Sequence, residues 1–179
     1  GWQPWQWLEF LLRWPQLIFA LNVLYNLWFV LLLAFLLWQA FSLDDRRGRL
    51  QFFLTFLLIW MLLGTTMATA LSSAGPCFYG HFVSGVDPYA ALMADLRDIN
   101  RSVPVWSLWA QAMIWKSYVS GQLQLASGIS AMPSMHLATA TLFALLVWRK
   151  RRVAGVVFYS YLAILMLTSI ILGWHYAVD

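Results

Sequence analysis

The run Leu17-Ile-Phe-Ala-Leu-Asn-Val-Leu-Tyr-Asn-Leu-Trp-Phe-Val-Leu-Leu-Leu-Ala-Phe-Leu-Leu-Trp-Gln-Ala-Phe41 has no charged side chain in 25 residues. A helix needs about 20 mostly apolar residues to cross a bilayer, so this stretch predicts a membrane span. Asn22 and Asn26 stand i, i+4 on one face, placed to hydrogen-bond a neighbouring helix. Working outward, further apolar runs follow at 50–72, 131–148 and 153–172. The second run ends in Gly64, Thr65, Thr66, Ala68 and Thr69, and the third carries Ala138, Ala140 and Ala144. Small residues of this kind let helices approach closely. Gly173 is placed to stop the last run. The expected fold is all-α: a polytopic transmembrane helical bundle, one membrane domain over 1–179 with four spans. The chain opens on Gly1 and stops on Asp179 as a new segment begins, so it is expected to be a fragment of a longer protein.

The composition agrees with a membrane protein. The chain is 62% hydrophobic and 10% charged, against about 25% charged in ordinary soluble domains. Its twelve tryptophans suit aromatic belts at the two membrane interfaces. Trp2, Trp5, Trp7 and Trp14 make residues 1–16 an interfacial anchor rather than a shield over a substrate entrance. The single cysteine, Cys77, excludes an intrachain disulfide. The net charge of +4 is small and gathered in Asp44-Asp-Arg-Arg-Gly-Arg49 and Arg149-Lys-Arg-Arg152. That clustering is a topology signal, and it excludes nucleic acid as a partner. Basic turns face the cytoplasm. The connection 73–130, the start of the 131–148 run and His175 then lie together on the extracytoplasmic face. The expected location is the plasma (inner) membrane, with the active site on that face.

The 73–130 connection is far longer than an ordinary loop, and such connections commonly carry function. Ser72-Ser-Ala-Gly-Pro-Cys-Phe-Tyr79 opens it with turn chemistry. Two short helices are expected within it, an amphipathic one from Tyr89 to Arg101 and a Trp-rich one from Val105 to Val119. His81, Arg97, Arg101 and Lys116 are its candidates for meeting an anionic headgroup. A solvated or salt-bridged role is the commoner fate of such side chains.

Two stretches carry the chemistry: Gly128-Ile-Ser-Ala-Met-Pro-Ser-Met-His136 and Thr168-Ser-Ile-Ile-Leu-Gly-Trp-His-Tyr-Ala-Val-Asp179. Each places a histidine at one end of an apolar run, where an ionisable group is costly and usually functional. His175 and Asp179 are i, i+4, which sets a carboxylate beside an imidazole if the segment is helical. Pro133 favours the first position of a helix, whose free N–H groups would make an anion site beside Ser134 and His136. Together they offer a nucleophile, an orienting acid, a second imidazole and an anion cradle. Three readings stand against catalysis through these histidines: a plain interfacial placement, a non-catalytic transporter or binding subunit using buried histidines, and a metal site. The metal reading has His136, His175 and Asp179 as legitimate ligands but lacks a His-x-x-x-His or Cys pairing. No cofactor is expected.

Pro133-Ser-Met-His136 followed by Gly173-Trp-His175-x-x-x-Asp179 resembles the second and third signature motifs of the type-2 phosphatidic acid phosphatase superfamily. The longer stretches, and Ser73–Tyr79 with them, resemble its inositolphosphotransferase (inositol phosphorylceramide synthase-like) branch. The resemblance covers residues 50–179. It implies a helical bundle of that kind, no metal, and a phosphohistidine intermediate. It further implies that His175 attacks phosphorus and Asp179 orients it. His136 would protonate the leaving oxygen, and Ser134 with nearby N–H groups would hold phosphate oxygens. The implied substrate is a membrane lipid phosphate or phosphodiester. The implied acceptor is water, or an alcohol such as inositol or a lipid. Two departures stand out. The family's first motif, Lys followed by six residues and then Arg-Pro, is absent, and Ser169 occupies the place of the third motif's arginine. Arg97, Arg101 and Lys116 are the candidates to replace those cations.

Overall fold

The computed structural model describes residues 2–43, 46–121 and 130–179. Asp44 and Asp45 of the first charged turn, and Gly128 and Ile129 at the head of the first motif, lie outside the described residues. The regular structure is helical throughout what is described, with one isolated antiparallel bridge, Ala74 to Ser130. The all-helical membrane fold expected from the apolar runs is the fold observed.

The long helices follow the apolar runs because apolar chain in a bilayer must satisfy its own backbone groups. Helix α1 spans Pro15–Phe41, with Pro15 in the first turn, where its missing N–H costs nothing. Helix α2 spans Arg46–Ala70 and changes from α to π geometry over Ile59–Met67. In this π segment the Thr65 and Thr66 hydroxyls donate to the Trp60 and Met61 carbonyls five residues back, at 3.2 and 3.0 Å. Helices α3 (Ala90–Ile99) and α4 (Trp106–Val119) lie within the long connection. Helices α5 (Met135–Lys150) and α6 (Arg152–Ile171) form a tight antiparallel pair. Among the described residues, three helices are long and apolar enough to cross a membrane: α1, α2 and α6. The run 131–148 becomes the 16-residue α5, about 24 Å long, because residues 130–134 are spent on an extended turn and a cap.

The helix ends sort into two layers. At one end, the Arg149 guanidinium donates to Gln51 Oε1 at 2.9 Å, and the Lys150 ammonium sits 5.2 Å from the Trp38 ring centre. The basic residues that open α2, Arg46, Arg47 and Arg49, and the basic turn between α5 and α6 are therefore at the same end. Here Phe35, Phe52, Phe143 and Val147 form a small core, with Phe35 and Phe143 stacked at 4.3 Å.

At the opposite end the larger core joins Ile18, Tyr25, Trp28, Leu92, Leu96, Leu165 and Ile171. A 3-10 helix over Pro4–Arg13 and helices α3 and α4 cap this end. The Trp5 indole donates to the Pro88 carbonyl, and Leu92, Met93, Leu96 and Ile99 are the buried face of α3. Asn22 performs part of its expected role: its Oδ1 accepts the Ser107 N–H of α4 at 3.3 Å. Asn26 instead donates to the Asn22 carbonyl within its own helix.

Candidate functional site

Residues 130–136 and 172–179 meet at the capped end. Ser134 is the N-cap of α5, and its Oγ accepts the Leu137 N–H at 3.5 Å. Pro133 therefore precedes the cap and does not take the first helical position as expected. The cap serine fits better there, since its oxygen satisfies an orphan N–H.

The second stretch departs further from expectation. Helix α6 stops at Ile171, and Gly173 adopts a left-handed φ of +74°. His175 and Asp179 are thus not on one helical face. They meet through a turn in which the Tyr176 N–H donates to Asp179 Oδ2 at 2.8 Å, leaving that oxygen 3.6 Å from His175 Nδ1. The carboxylate reaches the imidazole as foreseen, but by a different backbone path.

The closer partner of His175 was not foreseen. Its Nδ1 lies 2.7 Å from the Ala131 carbonyl. A carbonyl can only accept, so Nδ1 carries a proton, and in the neutral ring Nε2 presents a lone pair. That lone pair faces Ser134 Oγ at 3.2 Å. The ring is buried at 9% exposure, and the Asp179 side chain at 2%. Ala131 lies in the quoted motif, but backbone acceptors carry no side-chain signature that a sequence reading can detect.

A strap from the long connection holds the two stretches together. The Ala131 N–H donates to the Ser73 carbonyl at 2.7 Å and the Cys77 N–H to the Gly173 carbonyl at 3.0 Å. The Tyr176 hydroxyl donates to the Ala74 carbonyl at 2.8 Å. Burial raises the Tyr176 phenol, with Tyr89 and Asp179 adding to it, so the hydroxyl stays a neutral donor. Gly75 is required where the strap crosses, because a Cβ there would lie 2.4 Å from the Trp174 carbonyl oxygen. Burial likewise pushes the Cys77 thiol up to about 12, which leaves it protonated and a poor rival nucleophile.

His136, in the first turn of α5, stacks on Tyr25 at 4.6 Å between ring centres and lies tilted against Trp28 at 4.1 Å. Its Nε2 is buried with no hydrogen-bond partner among the described residues.

The expected cations do not reach this cluster. Arg101 pairs with Asp98 at 3.4 Å on the surface, and Arg97 and Lys116 are exposed. His81 stacks on Trp115. Among the described residues no hydrogen bond or ion pair joins an Arg or Lys to Ser134, His136, His175 or Asp179. Ser169, in the place of the expected arginine, is buried, and its carbonyl accepts the Trp174 and His175 N–H groups at 2.9 and 3.3 Å. Its part is to fold the turn that carries the histidine.

A family model described as the PAP2 superfamily matches residues 1–179. The chain belongs to the PAP2 superfamily. Comparison with curated proteins and with solved structures gives no match. Membership of the PAP2 superfamily brings an activity of the phosphatase or phosphotransferase type and a membrane setting. Within this PAP2 chain, three of the residues that match the two motifs come together: Ser134 touches His175, and Asp179 stands behind it.

Proposed function

We propose that the protein is a membrane-embedded phosphotransferase or phosphatase acting on a lipid phosphate or phosphodiester through a phosphohistidine at His175. The observation that carries this reading is the orientation of the imidazole: Nδ1–H is held by the Ala131 carbonyl at 2.7 Å, and bare Nε2 faces Ser134 Oγ at 3.2 Å. In the first step the Nε2 lone pair forms a bond to phosphorus as the bond from phosphorus to the leaving oxygen breaks. That oxygen takes a proton from His136, which must be protonated beforehand. The positive charge on the phosphorylated imidazole is balanced by Asp179. In the second step an acceptor hydroxyl attacks phosphorus, its proton passes to His136, and Nε2 recovers its lone pair. Ser134 Oγ–H and the free N–H groups at the start of α5 are placed to hold phosphoryl oxygens.

Charge favours the diester among substrates. A phosphate monoester carries about −1.5 to −2 at neutral pH. The site already buries Asp179 and has no Arg or Lys bonded to it among the described residues. A monoanionic phosphodiester costs less to bring into such surroundings. That supports transfer of a phosphoryl-linked headgroup, as in an inositolphosphotransferase-like enzyme. The acceptor is an alcohol such as inositol or a lipid for a transferase, and water for a hydrolase. No metal or cofactor takes part in this scheme, and no group of three metal-ligating side chains occurs among the described residues. With the basic turns cytoplasmic, the site faces the extracytoplasmic side of the plasma (inner) membrane.

The test is incubation of the protein in membranes with a panel of phosphorus-labelled phospholipids, with and without inositol. Labelled product should form, should persist in chelator, and should vanish in His175→Ala. Activity that is lost with chelator and restored by zinc or magnesium overturns the phosphohistidine scheme.

A further inference from the structure

The second imidazole raises a problem that the two motifs do not solve. His175 has a carboxylate 3.6 Å away. His136, which must carry positive charge to serve as the acid, has no carboxylate and no hydrogen bond at Nε2 among the described residues, and burial, with His175 nearby, pushes its imidazole down, against the charged form. What surrounds it is aromatic and comes from α1, outside both motifs. Trp28 lies across the ring at 4.1 Å and 37°, Tyr25 stacks at 4.6 Å and 22°, and Phe29 adds a T-shaped contact at 5.9 Å. The faces of Trp and Tyr rings are electron-rich and attract a cation within about 6 Å, most strongly where water is excluded.

The box is also rigid. The Trp28 indole N–H donates to Thr139 Oγ1 at 2.7 Å, and that hydroxyl donates to the Met135 carbonyl at 2.7 Å. Thr139 is fully buried, one helical turn beyond His136. Tyr25 continues the stack to Trp174, parallel within 5° at 6.3 Å. It therefore links the ring of the proposed acid to the residue preceding the proposed nucleophile.

We propose that Tyr25 and Trp28 are positioning residues for His136: their π faces fix the ring beside the reacting phosphorus and take the place of a carboxylate in holding its positive charge. This rests on the phosphohistidine reading above and adds the residues that make its acid step work. A charge-holding box matters only when the departing oxygen needs a proton. A purely structural box would matter equally for every substrate.

The experiment compares two substrates in the full chain reconstituted in membranes: labelled phosphatidylinositol, whose leaving group is an alkoxide, and bis(4-nitrophenyl) phosphate, whose leaving group needs little protonation. Trp28→Leu and Tyr25→Leu should slow turnover of phosphatidylinositol about tenfold or more, while nitrophenol release changes by less than about threefold. Trp28→Phe and Tyr25→Phe keep a π face and should recover most of the phosphatidylinositol rate. Equal loss on both substrates, or no loss on either, overturns the box. Base-stable label on the unmutated protein, absent from His175→Ala, is the separate check on the underlying reading. If the unmutated protein takes no such label, that reading falls and the box falls with it.

Discussion

At the residue scale, the division of labour around His175 differs from what a His–Asp pair suggests. Loss of a carboxylate costs about 10⁴ in rate where it reverses the tautomer of the imidazole. Here the Ala131 carbonyl, at 2.7 Å, fixes the tautomer, and Asp179, at 3.6 Å, supplies charge. Asp179→Asn keeps an oxygen for the Tyr176 N–H and should lower turnover about ten- to hundredfold, well short of that figure. A steady-state rate in the membrane-inserted variant decides it, and a fall approaching 10⁴ would mean that the carbonyl does not hold the ring. Ser134, His136, His175 and Asp179 were legible because each is a chemically distinctive side chain in a motif. Ala131, Tyr25 and Trp28 were not. The first acts through its main chain, and the other two look like ordinary residues of an apolar span.

At the element scale, the strap over residues 73–77 is what joins two motifs that are some forty residues apart. Its turn character was readable from Ser-Ala-Gly-Pro, but its partners were not, because they depend on where α6 ends. That end is set by Gly173 at φ +74° and by capping from a distance, with the Gln111 amide of α4 donating to the Leu172 carbonyl at 2.9 Å. Adding a methyl at Gly75 would press on the Trp174 carbonyl oxygen at 2.4 Å, and main chain yields less readily than a side chain tip. Gly75→Ala should cost about 1–3 kcal/mol of stability and displace His175. The expected readout is activity lowered more than tenfold with a lowered melting temperature and unchanged membrane insertion. A fully active variant would show that the strap does not position the histidine. The π stretch of α2 belongs to the same neighbourhood, since a Cβ on Gly64 would lie 3.1 Å from Met135 Sδ at the start of α5. Its small residues were visible in the sequence, whereas its change of helical geometry was not, because composition alone does not separate α from π.

At the scale of the whole molecule, the apolar runs were enough to give an all-helical membrane bundle, and the helix ends now give it a polarity. The basic start of α2 and the turn between α5 and α6 lie at one end, joined by Arg149 and Gln51, and His136 and His175 lie at the other. Placing the basic end in the cytoplasm predicts a labelling pattern. Val86, 95% exposed in the long connection, should accept an impermeant thiol reagent as Val86→Cys in intact cells. Arg151→Cys should not. Cys77 should stay silent at neutral pH, since burial holds its thiol up at about 12. Labelling of Arg151→Cys but not Val86→Cys would turn the molecule over and put the histidines on the cytoplasmic side. The shortness of α5 was the main departure at this scale. The apolar run continues through residues 131–134, but hydropathy does not register that Ser134 caps a helix there.

The Ala131 carbonyl has a consequence for how the molecule responds to substitution. A scan that truncates side chains one by one leaves this atom in place at every step, and at position 131 itself the residue is already alanine. The interaction that points the proposed nucleophile is therefore silent to conventional mutagenesis. Replacing the amide that follows Ala131 with an ester would weaken that carbonyl as an acceptor. The ester also removes the Met132 N–H, which donates to no backbone carbonyl among the described residues, so the change falls mainly on the carbonyl.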